Sequence, residues 1–168
     1  MKKYFRTLLL LLLGMLVAIS GVSIKRISDI RDYGKLINYV GIVRGASQRV
    51  VKLETNSRPD DELIAYVEGI LNELITGQGV YGLVLADCRQ YQLDLDLLKD
   101  QWDHVKKEIG EVRQGARADV LIDSSEKLFE IANDTVFTIE QYSGEMAEKT
   151  ARMIFATALR LHSLSIFT

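Results

Sequence analysis

The residues best suited to chemistry lie between Ile37 and Arg49, where Asn38, Gly41, Arg44, Gly45, Gln48 and Arg49 recur at helical spacing. At about 100° per residue, Asn38, Gly41, Gly45, Gln48 and Lys52 share one strip of a helix. Arg44 borders that strip on one side and Arg49 on the other. A guanidinium is a planar fork of donors that matches a small oxyanion, and the Asn and Gln amides add neutral donors beside it. A glycine inside a helix costs about 1 kcal/mol relative to alanine, so two of them within five residues ask for a reason. Gly41-x-x-x-Gly45 opens a groove where another helix or a ligand approaches the backbone. The same glycines would also serve tight helix packing alone, with the Arg and Gln groups satisfied by solvent or acidic neighbours. A ligand site needs convergent polar groups. A symmetric dimer would supply them by turning two copies of Arg44 toward one small anion.

Little else in the chain suits chemistry. His104 and His162 are far apart and read as surface residues. Asp94 and Asp96 lack the Gly and terminal Glu of a calcium loop. Asp119, Asp123, Glu126, Glu130 and Asp134 lie at helical spacing and read as a solvated face, or as partners for Arg44 or Arg49. Cys88 is the single cysteine, which excludes an intramolecular disulfide and a Cys-rich metal site. It reads as a small buried apolar residue. No Ser-His-Asp set, phosphate loop or pair of catalytic carboxylates can be assembled. The expectation is a chain without enzymatic activity, metal or cofactor.

The elements that position Arg44 follow from periodicity. Thr7 to Ile24 carries no charge and centres on a leucine run, Leu8 to Leu13. At roughly 1.5 Å per residue it just reaches across a hydrocarbon core. Lys2, Lys3 and Arg6 precede it and place the N-terminus in the cytoplasm, a bias that Lys25 and Arg26 weaken without reversing. Ala18-Ile19-Ser20 is a poor cleavage signal, so an uncleaved anchor is favoured over a signal peptide. With those three groups set aside, the remaining 18 of the 21 basic groups face 23 acidic ones. That balance argues against a nucleic-acid partner.

From Ile27 to Leu53 the residues Ile27, Ile30, Tyr33, Ile37, Val40, Val43, Val50 and Leu53 mark one helix, continuing outward from the anchor. Asn56 to Asp60 breaks it, with Asp60 or Ser57 able to cap the next. A short second helix carries Leu63 to Leu74 and stops at Gly77-Gln78-Gly79. Val80 to Cys88 is a connector, with room for a short helical turn. A third helix spans about Arg89 to Gln114 on Leu95, Leu98, Trp102, Val105, Ile109 and Val112, and a fourth runs from near Arg117 to Leu161. Long, short, long, long with short connections is the pattern of an all-α antiparallel four-helix bundle, here continuing from an N-terminal transmembrane helix. The expected division is residues 1–24 as cytoplasmic N-terminus and anchor, 25–161 as the extracytoplasmic bundle, and 162–168 as a C-terminal tail.

The segment Ile37-Asn38-x-x-Gly41-x-x-Arg44-x-x-Ser47-x-Arg49 resembles the ligand-binding segment of the nitrate- and nitrite-sensing histidine kinases. It is also similar to the N-terminal domain of type IV pili methyl-accepting chemotaxis transducers. A closer likeness, through Ile37 to Glu54, Asp60 to Tyr66 and Glu126 to Tyr142, is to helical sensor regions that precede diguanylate cyclase modules in Gram-positive anaerobes. The resemblance implies a dimeric four-helix-bundle sensor in which Arg44 holds an anion across the dimer interface. Where the nitrate sensors carry a lysine this chain has Tyr39, so a carboxylate or another small ligand stands beside nitrate.

The function expected is ligand sensing by the extracytoplasmic domain of a single-pass bacterial receptor in the cytoplasmic membrane, acting as a homodimer on a small anion or other small ligand. The stretch Ala151 to Thr168 is interrupted by Arg160 and His162 and holds no 18-residue apolar run. No cyclase, kinase or methyl-accepting region is read, so the sensor is expected without an output module in this chain. The competing expectation is a membrane-anchored structural or interaction bundle with no small-molecule ligand.

Overall fold

A computed structural model describes residues 2–166, without the side chains of Lys2, Lys3, Phe5, Leu8, Leu12 and residues 160–166. The chain is all-helical, and no strand occurs among the described residues. Four helices follow in order, α1 (Lys2–Thr55), α2 (Asp61–Thr76), α3 (Arg89–Arg113) and α4 (Asp119–Ile166). Residues 162–166 of the expected tail are therefore helical, and Phe167 and Thr168 lie outside the described residues.

The helix ends have local causes. Asp60 accepts the Leu63 N–H at 2.9 Å, and Asp61 and Glu62 place negative charge in the first turn of α2. Ser57, at φ 55°, belongs to the turn instead of capping. Gly77 ends α2 at φ 66°, where a side chain would be strained, and its N–H reaches the Glu73 carbonyl at 2.8 Å.

The structure divides into two compact units, one of residues 32–142 and one formed by the first 31 residues with those from 143 onward. In the first, Leu36, Val40, Val43, Ile70, Leu74, Leu95, Leu98, Trp102, Leu121, Leu128 and Ile139 are buried, so all four helices supply one core. Each such side chain contributes roughly 1.5–3 kcal/mol by leaving water. Polar pairs fix the neighbours. On α1 and α4, the Tyr33 and Tyr142 rings lie 5.4 Å apart, Arg44 meets Asn133, and Gln48 meets Ser125 at 2.9 Å. On α3 and α4, Thr138 donates to Asp94 at 2.6 Å and Gln101 to the Ser124 carbonyl at 3.0 Å. On α2 and α3, Trp102 Nε1 donates to Glu68 at 2.9 Å. Arg113 joins Glu54 of α1 and Asp61 of α2.

Two expectations are corrected. The connector between Gly77 and Cys88 forms no helical turn. Its backbone is organised by a carboxylate: Glu73, 1% exposed, accepts the N–H groups of Tyr81 and Leu83, each at 2.8 Å. Those donors therefore have no need of helical carbonyls. Ile27, expected on the core stripe, is 58% exposed, and Leu36 is buried in the unit that begins at residue 32.

In the other unit, Leu9, Leu10, Leu11 and Leu13 are each at least 56% exposed. This N-terminal stretch of α1 is long and apolar enough to cross a membrane, and none of its apolar window is buried. Leu16, Ile19 and Ile24 line a groove with Ile154 and Ala158 of α4.

Candidate functional site

Burial along α1 sets the site. Val40, Val43, Ser47 and Val50 face the core, so Asn38, Gly45 and Arg49 stand on the opposite side, exposed. Gly41 and Arg44 are half-buried at the edge. An open groove runs between α1 and α4, lined by Asn38, Gly41 and Arg44 with Ile37, Ile42 and, from α4, Val136 and Glu140.

Arg44 is held without a carboxylate. Its Nη1 donates to Oδ1 of Asn133, and its guanidinium carbon lies 5.4 Å from the centre of the Phe129 ring, within cation–π range. Among the described residues it has no ion pair. The acidic residues of α4 therefore do not neutralise it. Asp119 pairs with Arg117, and Arg49 has no ion-pair partner among the described residues. Neutral support leaves most of the guanidinium fork unassigned and its charge uncompensated at close range.

The glycines act differently from the tight-packing alternative. Beyond the local helix, a Cβ placed on Gly41 or Gly45 would meet nothing within 4 Å, so among the described residues neither glycine is in tight contact with a neighbouring element. Of the six residues singled out by spacing, the structure brings Asn38, Gly41 and Arg44 together. Gly45 continues the same open face. Gln48 turns toward α4, where its amide nitrogen donates to the Ser125 carbonyl at 2.9 Å and to its hydroxyl at 3.2 Å. Tyr39 packs on Tyr81 of the connector, ring centres 5.3 Å apart, with Tyr66 on Tyr81's other contact at 6.1 Å.

No protein-family model, no curated protein and no solved structure matches this chain. The reading of the site thus stands on its own residues.

Asn133, Phe129, Val136 and Glu140 complete the groove and were not singled out from the sequence. A signal was there. Phe129, Asn133 and Phe137 recur every four residues along the otherwise acidic outer face of α4, and Phe137 is 65% exposed. Rings at this spacing offer faces on which a cation from a neighbouring helix can stack.

Away from the groove, charge is spent on holding α2 to α3. Lys106 lies 2.6 Å and Lys99 3.1 Å from Glu68, and both also contact Asp103. Burial opposes ionisation of Glu68, but hydrogen bonds from Lys106 and Lys99 outweigh it and hold its pKa below the usual carboxylate range. Glu73 is shifted the same way: burial opposes, and the connector's N–H groups, led by Leu83 and Tyr81, prevail. Cys88 is half-buried at the start of α3. No cluster of three or more potential metal ligands occurs among the described residues.

Proposed function

We propose that this chain is the ligand-sensing extracytoplasmic domain of a bacterial transmembrane signalling receptor, with Arg44 as the principal contact to a small anion. The single observation that carries the reading is Arg44 itself. It is a half-buried cation at the edge of an open groove, braced by a neutral amide and an aromatic ring and left without a carboxylate. Such an arrangement preserves the charge and the fork for an incoming oxyanion. Asn38 adds a neutral amide, and Gly41 gives access to backbone. Glu140 on the same groove opposes an anion and would select for ligands that also offer a donor.

The wider architecture in this reading is an antiparallel four-helix bundle, continuing from a membrane-spanning stretch of α1 with its N-terminus in the cytoplasm. The paired contacts support it: as residue numbers rise on α1 from Tyr33 to Gln48, their partners on α4 fall from Tyr142 to Ser125. The exposed leucines of α1 support the membrane anchor, since lipid is the solvent that removes their cost. The open face at Gly41 and Gly45 supports a homodimer, in which two copies of the groove meet. Catalysis is assigned to no residue.

The test is thermal unfolding of the full chain in detergent micelles, with nitrate, nitrite, formate and acetate compared against chloride. A true ligand at about 100 times its dissociation constant adds about 2.7 kcal/mol of stability. Stabilisation that disappears in Arg44→Ala supports the proposal. If no anion stabilises the chain, the second reading holds, an anchored interaction bundle whose exposed Phe129 and Phe137 dock a partner.

A further inference from the structure

The Arg44 groove carries two opposite charges that do not pair with each other. Arg44 lines it from α1 and Glu140 from α4. Glu140 is exposed and, like Arg44, has no ion pair among the described residues. Their separation has a structural cause. Arg44 is held by Asn133, and its guanidinium also lies against Phe129, one helical turn farther from Glu140. Glu140 stands seven residues past Asn133, about 10 Å of helix rise. Val136 lies between Asn133 and Glu140 on α4, and Ile37 and Gly41 line the groove from α1. The groove thus offers a cation at one end, an apolar middle and a carboxylate at the other. Its volume of about 550 Å³ gives room for a ligand of several heavy atoms.

Building on Arg44 as the anion contact, we infer that the groove binds a small amino carboxylate, with the ligand's carboxylate on Arg44 and its ammonium on Glu140. A plain anion on Arg44 would leave Glu140 as a like charge in the same groove, with nothing to offset it. An ammonium on the same ligand replaces that repulsion with a charge-assisted hydrogen bond. Asn38, also on the groove, offers an amide oxygen as a further acceptor. One bond of about 2.8 Å at each end leaves about 5 Å of the span for the ligand itself, which suits a short carbon chain. Val136 and Ile37, both half-buried, give that chain an apolar bed.

The experiment is calorimetric titration of the full chain in detergent micelles at neutral pH. Glycine, β-alanine and γ-aminobutyrate are each compared with the carboxylate that lacks the amino group, namely acetate, propionate and butyrate. Chloride of n-propylammonium is the amine-only control. The expected result is saturable binding in which at least one amino carboxylate is about threefold or more tighter than its partner, the scale of a contact to an exposed carboxylate. Glu140→Gln removes that preference and Glu140→Lys reverses it, with circular dichroism confirming that both variants fold. Arg44→Lys weakens both members of the pair. Carboxylates that bind through Arg44 without any preference for the amino form overturn the inference and leave Arg44 its role. A preference that survives Glu140→Gln, or propylammonium binding as tightly as the amino carboxylates, overturns it as well. If neither carboxylates nor amino carboxylates bind, the anion-binding reading of Arg44 falls with it.

Discussion

Arg44 of α1 donates to Oδ1 of Asn133 on α4, 89 residues along the chain, so the cation of the groove is braced by a neutral amide. A single atom separates this arrangement from an ion pair. Asn133→Asp supplies the carboxylate and should keep or raise the melting temperature while weakening anion affinity by about tenfold or more, because the guanidinium is then neutralised. Arg44→Lys should keep the fold and also lose more than about tenfold, since an ammonium does not reproduce the fork. Calorimetric titration with the anion that stabilises the wild type measures both. Unchanged affinity in the two variants would remove Arg44 from the site.

Gly41 and Gly45 give a separate test. Among the described residues, no atom beyond the local helix backbone lies within 4 Å of a Cβ at either position. Each alanine substitution should therefore stabilise the isolated chain by up to about 1 kcal/mol through helix propensity. If a second copy or a ligand uses this face, the same substitutions weaken association or binding. Paired melting curves and sedimentation at several concentrations separate the effects. A lower melting temperature in both variants, with unchanged association, would show that the glycines are packed within the chain.

Acid should loosen α2 from α3. The folded-state pKa of Glu68 is depressed below the ordinary glutamate value of about 4.5, so the stability it contributes is present above about that pH. It is lost as pH falls through the lower folded value. Glu68→Gln keeps an acceptor for Trp102 but loses the charge facing Lys99 and Lys106. The melting temperature of wild type should exceed that of Glu68→Gln at neutral pH, with the gap closing below pH 4.5. A gap constant down to pH 3, roughly 1.5 units below the ordinary carboxylate value, would disprove the linkage.

Tyr91 is fully buried, its hydroxyl has no hydrogen-bond partner among the described residues, and burial pushes its pKa up. Removing the orphan oxygen should help. Tyr91→Phe is expected to raise the melting temperature by about 2–4 °C, the equivalent of about 1 kcal/mol for a chain of this size. A fall on differential scanning calorimetry would mean that the hydroxyl is satisfied.

Much of the architecture was legible without coordinates, and the reason is local. Helical periodicity, the Asp60 cap and the Gly77 stop act over three or four residues, so apolar spacing alone located the buried positions Leu95, Leu98, Trp102, Val105 and Ile109. Spacing also put Asn38, Gly41 and Arg44 on adjoining strips of one helix. It did not reveal what they face. Whether Arg44 meets a carboxylate, an amide or solvent depends on which turn of α4 lies across from it, and no local pattern encodes that register. The outcome turned on Asn133 instead of the acidic residues around it, and on Gln48 being drawn to Ser125. The connector was unreadable for the same reason: its backbone donors are satisfied by Glu73, eight and ten residues earlier, a carboxylate that in sequence looks like any polar residue of an exposed helix face. Hydrophobic spacing sets which side of each helix is buried, but only the packed tertiary structure decides which polar groups are left with partners and which with none.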